Sequence, residues 1–435
     1  MKNATLALLM AAVLPAAANA EAMFRNGAAH TGVYETEGPR EFHRVKWTFP
    51  TGSRIVSSPV MQDGVIYFGS DDGNVYAVAP ADGRQLWKYS TRGAVASTPA
   101  IAHDTLYVMS YDGHFYALNA RTGALRWKFA TGGERHFEAK GLHGMTPAGQ
   151  TYFDPFDLFL SSPVVVDGSV FFGSGDGYLY ALDAGSGALR WKFRTGDVVH
   201  ASPAYADGIL FFGSWDSYFY AVDAKTGAEK WRFHGGEDPL IHNQVGFQSS
   251  AAVANGTVYV GCRDSNLYAL DAATGKEKWK FNNAGSWVIT SPAVVDGKVV
   301  FATSDSSQFH IVDAATGKSI AKQDARAFMF GSPAVAGNVV YQGVTNGTLE
   351  ARDLSTGALL WDFRTDASRE NRGWALTSER RFNTPMLFHA RGDNGEAEIV
   401  SIWWQLGVGS FFSSPLVADG KVYVGSNDGN LYALE

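Results

Sequence analysis

The sequence predicts an all-β chain folded as an eight-bladed β-propeller, with four antiparallel strands to a blade. Three observations predict it. A unit recurs along the chain, and its clearest copies, Ser162-Pro163 to Trp191 and Ser202-Pro203 to Trp231, lie 40 residues apart, the period of a propeller blade. Inside each copy short apolar runs alternate with turn dipeptides such as Asp-Gly, the strongest hairpin signal. Finally, the last unit lacks a fourth strand, and a stretch near the N-terminus has the pattern of that missing piece.

A Ser-Pro start opens the unit and leads through an apolar run to Asp167-Gly168. An alternating strand containing Val170-Phe171-Phe172 follows, then a second turn at Asp176-Gly177 and the run Leu179-Tyr180-Ala181-Leu182. After a Ser-Gly turn comes the fourth strand, Ala188-Leu189-Arg190-Trp191-Lys192-Phe193. Starts at Ser58, Thr98, Ser162, Ser202, Ser250, Ser291, Ser332 and Ser414 count eight blades, and only Ala251 replaces the proline. Fourth-strand tryptophans stand at 87, 127, 191, 231, 279 and 361, each four residues after a glycine. A tryptophan that recurs once per blade is expected to dock against the neighbouring blade, where its large apolar area is buried. Blade six departs, with Ala321 four residues after Gly317. Val45-Lys46-Trp47-Thr48-Phe49 is the orphan fourth strand, and pairing it with the final strand ending at Leu434 closes the ring and removes its open edges.

Ahead of the repeats, the apolar run Leu6–Ala18 and Ala18-Asn19-Ala20 read as a signal peptide over residues 1–20 with its cleavage site. The expected organisation is therefore an N-terminal segment 21–41 and one propeller domain 42–435, exported as a periplasmic or secreted protein. No later stretch reaches the ~20 apolar residues of a spanning helix. A net charge of -7 with no basic stripe argues against nucleic acid as a partner. Cys262 is the only cysteine, so neither an intramolecular disulfide nor a C-x-x-C-H haem attachment exists within the 435 residues. It aligns with Ser in other repeats and reads as a buried, inert thiol.

The Ala-x-x-Gly-x-x-x-Trp repeats over residues 42–435 resemble the PQQ-type (quinoprotein-like) propellers with tryptophan-docking motifs. That superfamily includes quinoprotein dehydrogenases, the propeller subunit of the outer-membrane barrel-assembly machinery and extracellular sensor domains, so fold alone leaves function open. Likeness to the dehydrogenases would imply PQQ with calcium. The pair of adjacent cysteines that many of those enzymes set against the quinone is impossible here, and Ser214-Trp215-Asp216 only partly echoes their Gly-Trp-Asp motif; Asp216 is a weak candidate base. Likeness to the assembly subunit implies an envelope protein partner, although no lipoprotein cysteine follows the leader.

Long insertions at 133–159, 234–247 and 366–411 all link the fourth strand of one blade to the first of the next, which decorates one face and leaves the other bare. Long ordered loops of this kind are where function or a structural cap is expected. The repeats also act as an internal control. At the start of the innermost strand six blades carry an apolar residue, but blades four and five carry His200 and Gln248. In the turn between second and third strands the bulky exceptions are Trp215 and Arg263. With His242, Asn243, Gln244 and Trp287 these form one sector, whose aromatic faces, guanidinium and hydrogen-bonding groups suit a small planar anionic ligand. The plainer alternative is that the polar members tie the insertions to the ring. His136 and His143, with His200 or His242, lack metal-ligand spacing, so no metal site is expected.

Overall fold

The computed structural model describes residues 22–236, 246–384 and 395–435. Eight antiparallel sheets form the ring. Blade three is representative, with strands Val164–Val166, Ser169–Gly173, Tyr178–Asp183 and Leu189–Arg194 paired in chain order. Its first turn, Asp167-Gly168, has positive φ at both residues, the mirror-image turn whose twist matches a hairpin and which asparagine, aspartate and glycine tolerate. Blade eight is finished from the other end of the chain. Strand Val45–Pro50 pairs antiparallel with Asn430–Leu434, placing Trp47 opposite Ala433, and Arg44 and Lys46 bond the Glu435 carboxylate. The predicted closure is therefore the observed one.

Six of the seven docking tryptophans lie on the next blade's glycine; Trp361 instead donates to the Pro39 carbonyl at 3.0 Å and packs against Phe42. The indole N–H groups of Trp47, Trp87, Trp127, Trp191, Trp231 and Trp279 donate to a carbonyl of the following blade at 2.9–3.2 Å. Their rings cover Gly83, Gly123, Gly187, Gly227, Gly275 and Gly317, where an added Cβ would meet ring carbon at 2.5–2.7 Å. These glycines also sit near φ +70°, so two separate constraints exclude a side chain. Blade six, which has no tryptophan, solves the problem differently. Arg352 of blade seven enters the gap, donates to the Gly357 carbonyl at 3.0 Å and is neutralised by Glu350 at 2.6 Å.

Around the axis the start residues form a second closed circuit. The backbone N–H of each start donates to the hydroxyl of the next, Ser58 to Thr98 and so on until Ser414 returns to Ser58, at 2.8–3.1 Å. A hydroxyl at every start is thus a ring bond, and the eight-fold recurrence of Ser or Thr follows from it.

Two features depart from the plain four-stranded plan. Val33–Tyr34 adds a fifth, parallel strand to the inner edge of blade seven. The 133–159 insertion carries its own hairpin, Glu138–Lys140 with Thr151–Phe153. Helices Asp366–Glu370 and Gly395–Leu406 belong to the last insertion. No helix among the described residues is long and apolar enough to cross a membrane.

Candidate functional site

The fold brings four of the singled-out residues into one buried cluster on the decorated face. The Arg263 guanidinium lies between two indoles, 4.3 Å from the Trp215 ring centre and 4.1 Å from that of Trp287. Its Nε and Nη2 donate to the Gln248 side-chain oxygen at 3.0 and 2.6 Å, while Nη1 donates to Asp154. Gln248 in turn donates to the Phe156 carbonyl at 2.8 Å. Burial works against ionisation of Asp154, but Arg263 and His143 outweigh it and hold the carboxyl below the usual range. Phe137 stacks on the outer face of Trp215 at 4.4 Å, nearly parallel.

His200 anchors the neighbouring part of the same insertion. Its Nδ1 lies 2.7 Å from Asp157 and its Nε2 3.2 Å from Glu134, with all three side chains essentially out of solvent. Burial alone would lower the imidazole pKa; the two carboxylates outweigh it and raise it to about 10, so the ring is a cation at neutral pH. Glu134 also accepts from the Ser174 hydroxyl and the Gly175 N–H, and Asp157 from the Phe137 N–H. The two exceptional residues on the inner strands and the exceptional arginine in the turn therefore each grip the 133–159 insertion, His200 and Arg263 through its acidic residues and Gln248 through a backbone carbonyl. Glu134 and Asp157 were not legible as partners in the sequence. The available signal was an acid within an insertion facing a polar exception in the repeat.

Other candidates fall elsewhere. Asp216 accepts from the Gly196 N–H, the Tyr218 N–H and the Tyr220 hydroxyl, as Asp72, Asp112, Asp176 and Asp264 do with their equivalents, so it shares a repeated turn role. His242, Asn243 and Gln244 lie outside the described residues. Cys262 is buried, and burial pushes its thiol up.

The tricyclic quinone that the fold suggests does not fit the space these residues leave. On the axis a cavity of about 30 Å³ remains between Phe24, Phe159 and the hydroxyl ring, against the ~300 Å³ at which small-molecule pockets begin. Between Trp215 and Trp287 the flat slot is filled by Arg263 itself. No group of three or more His, Cys, Asp or Glu among the described residues is arranged to hold a metal ion. Among the described residues the indole N–H groups of Trp215 and Trp287 and the His143 Nε2 have no hydrogen-bond partner.

The profile of the family described as outer membrane protein assembly factor BamB matches residues 35–157, 146–286 and 263–380. The chain belongs to this family. A member from Salmonella typhimurium is 28% identical over 141 residues, a match that spans 24% of this chain and 36% of that relative's length. Among solved structures, BamB from Moraxella catarrhalis aligns over 90% of this chain and 97% of its own, at TM-score 0.64 and 15% identity. Quinohemoprotein alcohol dehydrogenase from Comamonas testosteroni aligns over 95% and 80%, at 0.68 and 14%, and a europium-containing methanol dehydrogenase over 95% and 97%, at 0.67 and 14%. At such identities the structural likenesses show the shared eight-bladed fold and no more.

Proposed function

We propose that this BamB-family propeller is an exported, non-catalytic scaffold of the cell envelope that works in outer-membrane protein assembly by binding a protein partner. The family match over most of the chain carries the reading. The decorated face supports it, because the exceptional polar residues are spent on holding the 133–159 insertion in place rather than left facing an open pocket. A rigidly held insertion on a propeller face is a preformed protein-binding surface, which avoids the ordering cost a mobile loop would add. Affinity capture from envelope extract tests it. An assembly protein should be retained by the parent chain and lost when the 133–159 insertion is replaced by a short turn, and retention of none in either case defeats the reading.

The two unsatisfied indole donors favour a second reading, a periplasmic binder of a small anion at Trp215, Arg263 and Trp287. Titration with a small planar anion, oxalate, while following tryptophan fluorescence separates the two. Saturable quenching abolished by Trp215→Ala and Arg263→Ala supports the binder, and dye-linked alcohol oxidation on addition of PQQ and calcium would instead make the chain a quinoprotein dehydrogenase.

A further inference from the structure

The inner strand of every blade presents an unpaired edge to the axis, and residues 22–34 run around six of these edges in order. The same repeat position, three residues after the start Ser or Thr, uses its backbone N–H each time. Ile101 donates to the Ala22 carbonyl at 2.7 Å, Tyr205 to Ala28 at 2.7 Å and Val253 to Ala29 at 2.9 Å. Val294 donates to Thr31 and Val335 to Gly32, both at 2.9 Å, and the Val165 N–H meets the Met23 sulfur at 3.5 Å. Tyr34 then reaches blade eight through its hydroxyl, which donates to the Pro415 carbonyl at 3.2 Å.

One side chain pins this arc. Arg25 turns into the axis and donates to the Pro292 and Pro333 carbonyls, each at 2.8 Å. It is buried, and among the described residues it has no carboxylate partner; its charge is received by the two blade carbonyls and, at 3.4 Å, by the His30 carbonyl of its own segment. Gly32, at φ +69°, passes so close that a Cβ would overlap the Arg25 guanidinium. Closure of the ring does not depend on the arc, since strand Val45–Pro50 and the hydroxyl circuit achieve it separately. The connection between arc and closing strand carries the exposed residues Glu35 and Glu37.

We propose that the mouth of the axial channel on the bare face is a peptide-binding site, specific for a turn-rich segment with an arginine near its N-terminal end, and that residues 22–34 are its resident, exchangeable occupant. Recognition is by main-chain hydrogen bonds to the inner-strand edges of five blades, with left-handed turns at Arg25, Asn26 and His30 carrying the segment from edge to edge and Arg25 supplying the sequence preference. This is independent of the partner-binding face proposed above, which lies at the opposite end of the channel.

The test uses the full chain carrying a protease site inserted after Glu35, cut only after folding. A fluorescent synthetic peptide of residues 22–36 should then exchange into the nicked protein, saturably and in competition with unlabelled peptide, while the ring keeps its circular-dichroism spectrum. Peptides carrying Arg25→Ala or Gly32→Val should compete about tenfold more weakly or worse, as loss of two charged hydrogen bonds or a steric overlap demands. Equal competition by both variants, failure of the peptide to exchange over days, or unfolding of the ring as the nicked segment leaves would each overturn the site.

Discussion

Arg263, which the sequence grouped with a sector suited to a small planar anion, forms an internal ion pair. Its partner Asp154 is buried and held ionised, so truncating the arginine leaves a carboxylate with no cation. Arg263→Ala should cost about 3–5 kcal/mol in chemical denaturation. Asp154→Asn combined with it should cost less than the sum of the two, because residues in direct contact share one interaction. His200 makes the opposite electrostatic statement. Its folded pKa of about 10 exceeds the ordinary 6.5, so its stabilising contribution is complete below about pH 6.5 and is lost as pH rises through about 10. Melting temperatures of the parent should fall between pH 7 and 10, and His200→Gln should start lower at pH 7 and fall less steeply.

Among the elements, the outer strand of every blade but the sixth carries one docked indole. Trp127 covers Gly187 and bonds the Ala184 carbonyl, and Trp127→Ala should destabilise by about 3–5 kcal/mol, the range for truncating large core aromatics. Gly187→Ala should also destabilise, since its Cβ would lie 2.5 Å from the Trp127 ring. Gly357→Ala is the control. No indole covers it and the nearest atom, Gln323 Cγ, stands 3.1 Å away on a flexible chain, so its loss should be smaller and arise chiefly from its positive φ. Equal losses at the two glycines would show that backbone conformation, and not the docked ring, sets the requirement. The departure at Ala321 was legible in the sequence; that Arg352 fills the space was not, because the arginine comes from the next blade's third strand.

For the whole molecule, the ends of the chain meet in one blade. Removing residues 42–50 leaves the Asn430–Leu434 edge bare and takes away Trp47, which bonds the Pro80 carbonyl of blade one. Deletion should lower the melting temperature sharply, and an unchanged melting curve would contradict the closure. The deletion should also favour association, since an open strand edge is a template for pairing with another chain.

Periodicity alone determined the blade count, the strand order within a blade, the docking tryptophans and the terminal closure. The blade, its strand order and, in all but blade six, its tryptophan are local patterns repeated around the ring, so their physical cause, a tight turn or an apolar face, is written within some forty residues, and the closure follows from the one unit left short of a strand. The repeats also exposed His200, Gln248, Trp215 and Arg263 as exceptions, because neighbouring blades serve as controls. Only the tertiary structure decided what the exceptions do and where residues 22–34 go. Glu134, Asp154 and Asp157 meet their partners across more than forty residues of chain, and the arc of residues 22–34 pairs with strands up to three hundred residues away. The ion pairs occur once and obey no period, and although the arc meets an equivalent position in six blades, its own residues carry no repeat that announces it.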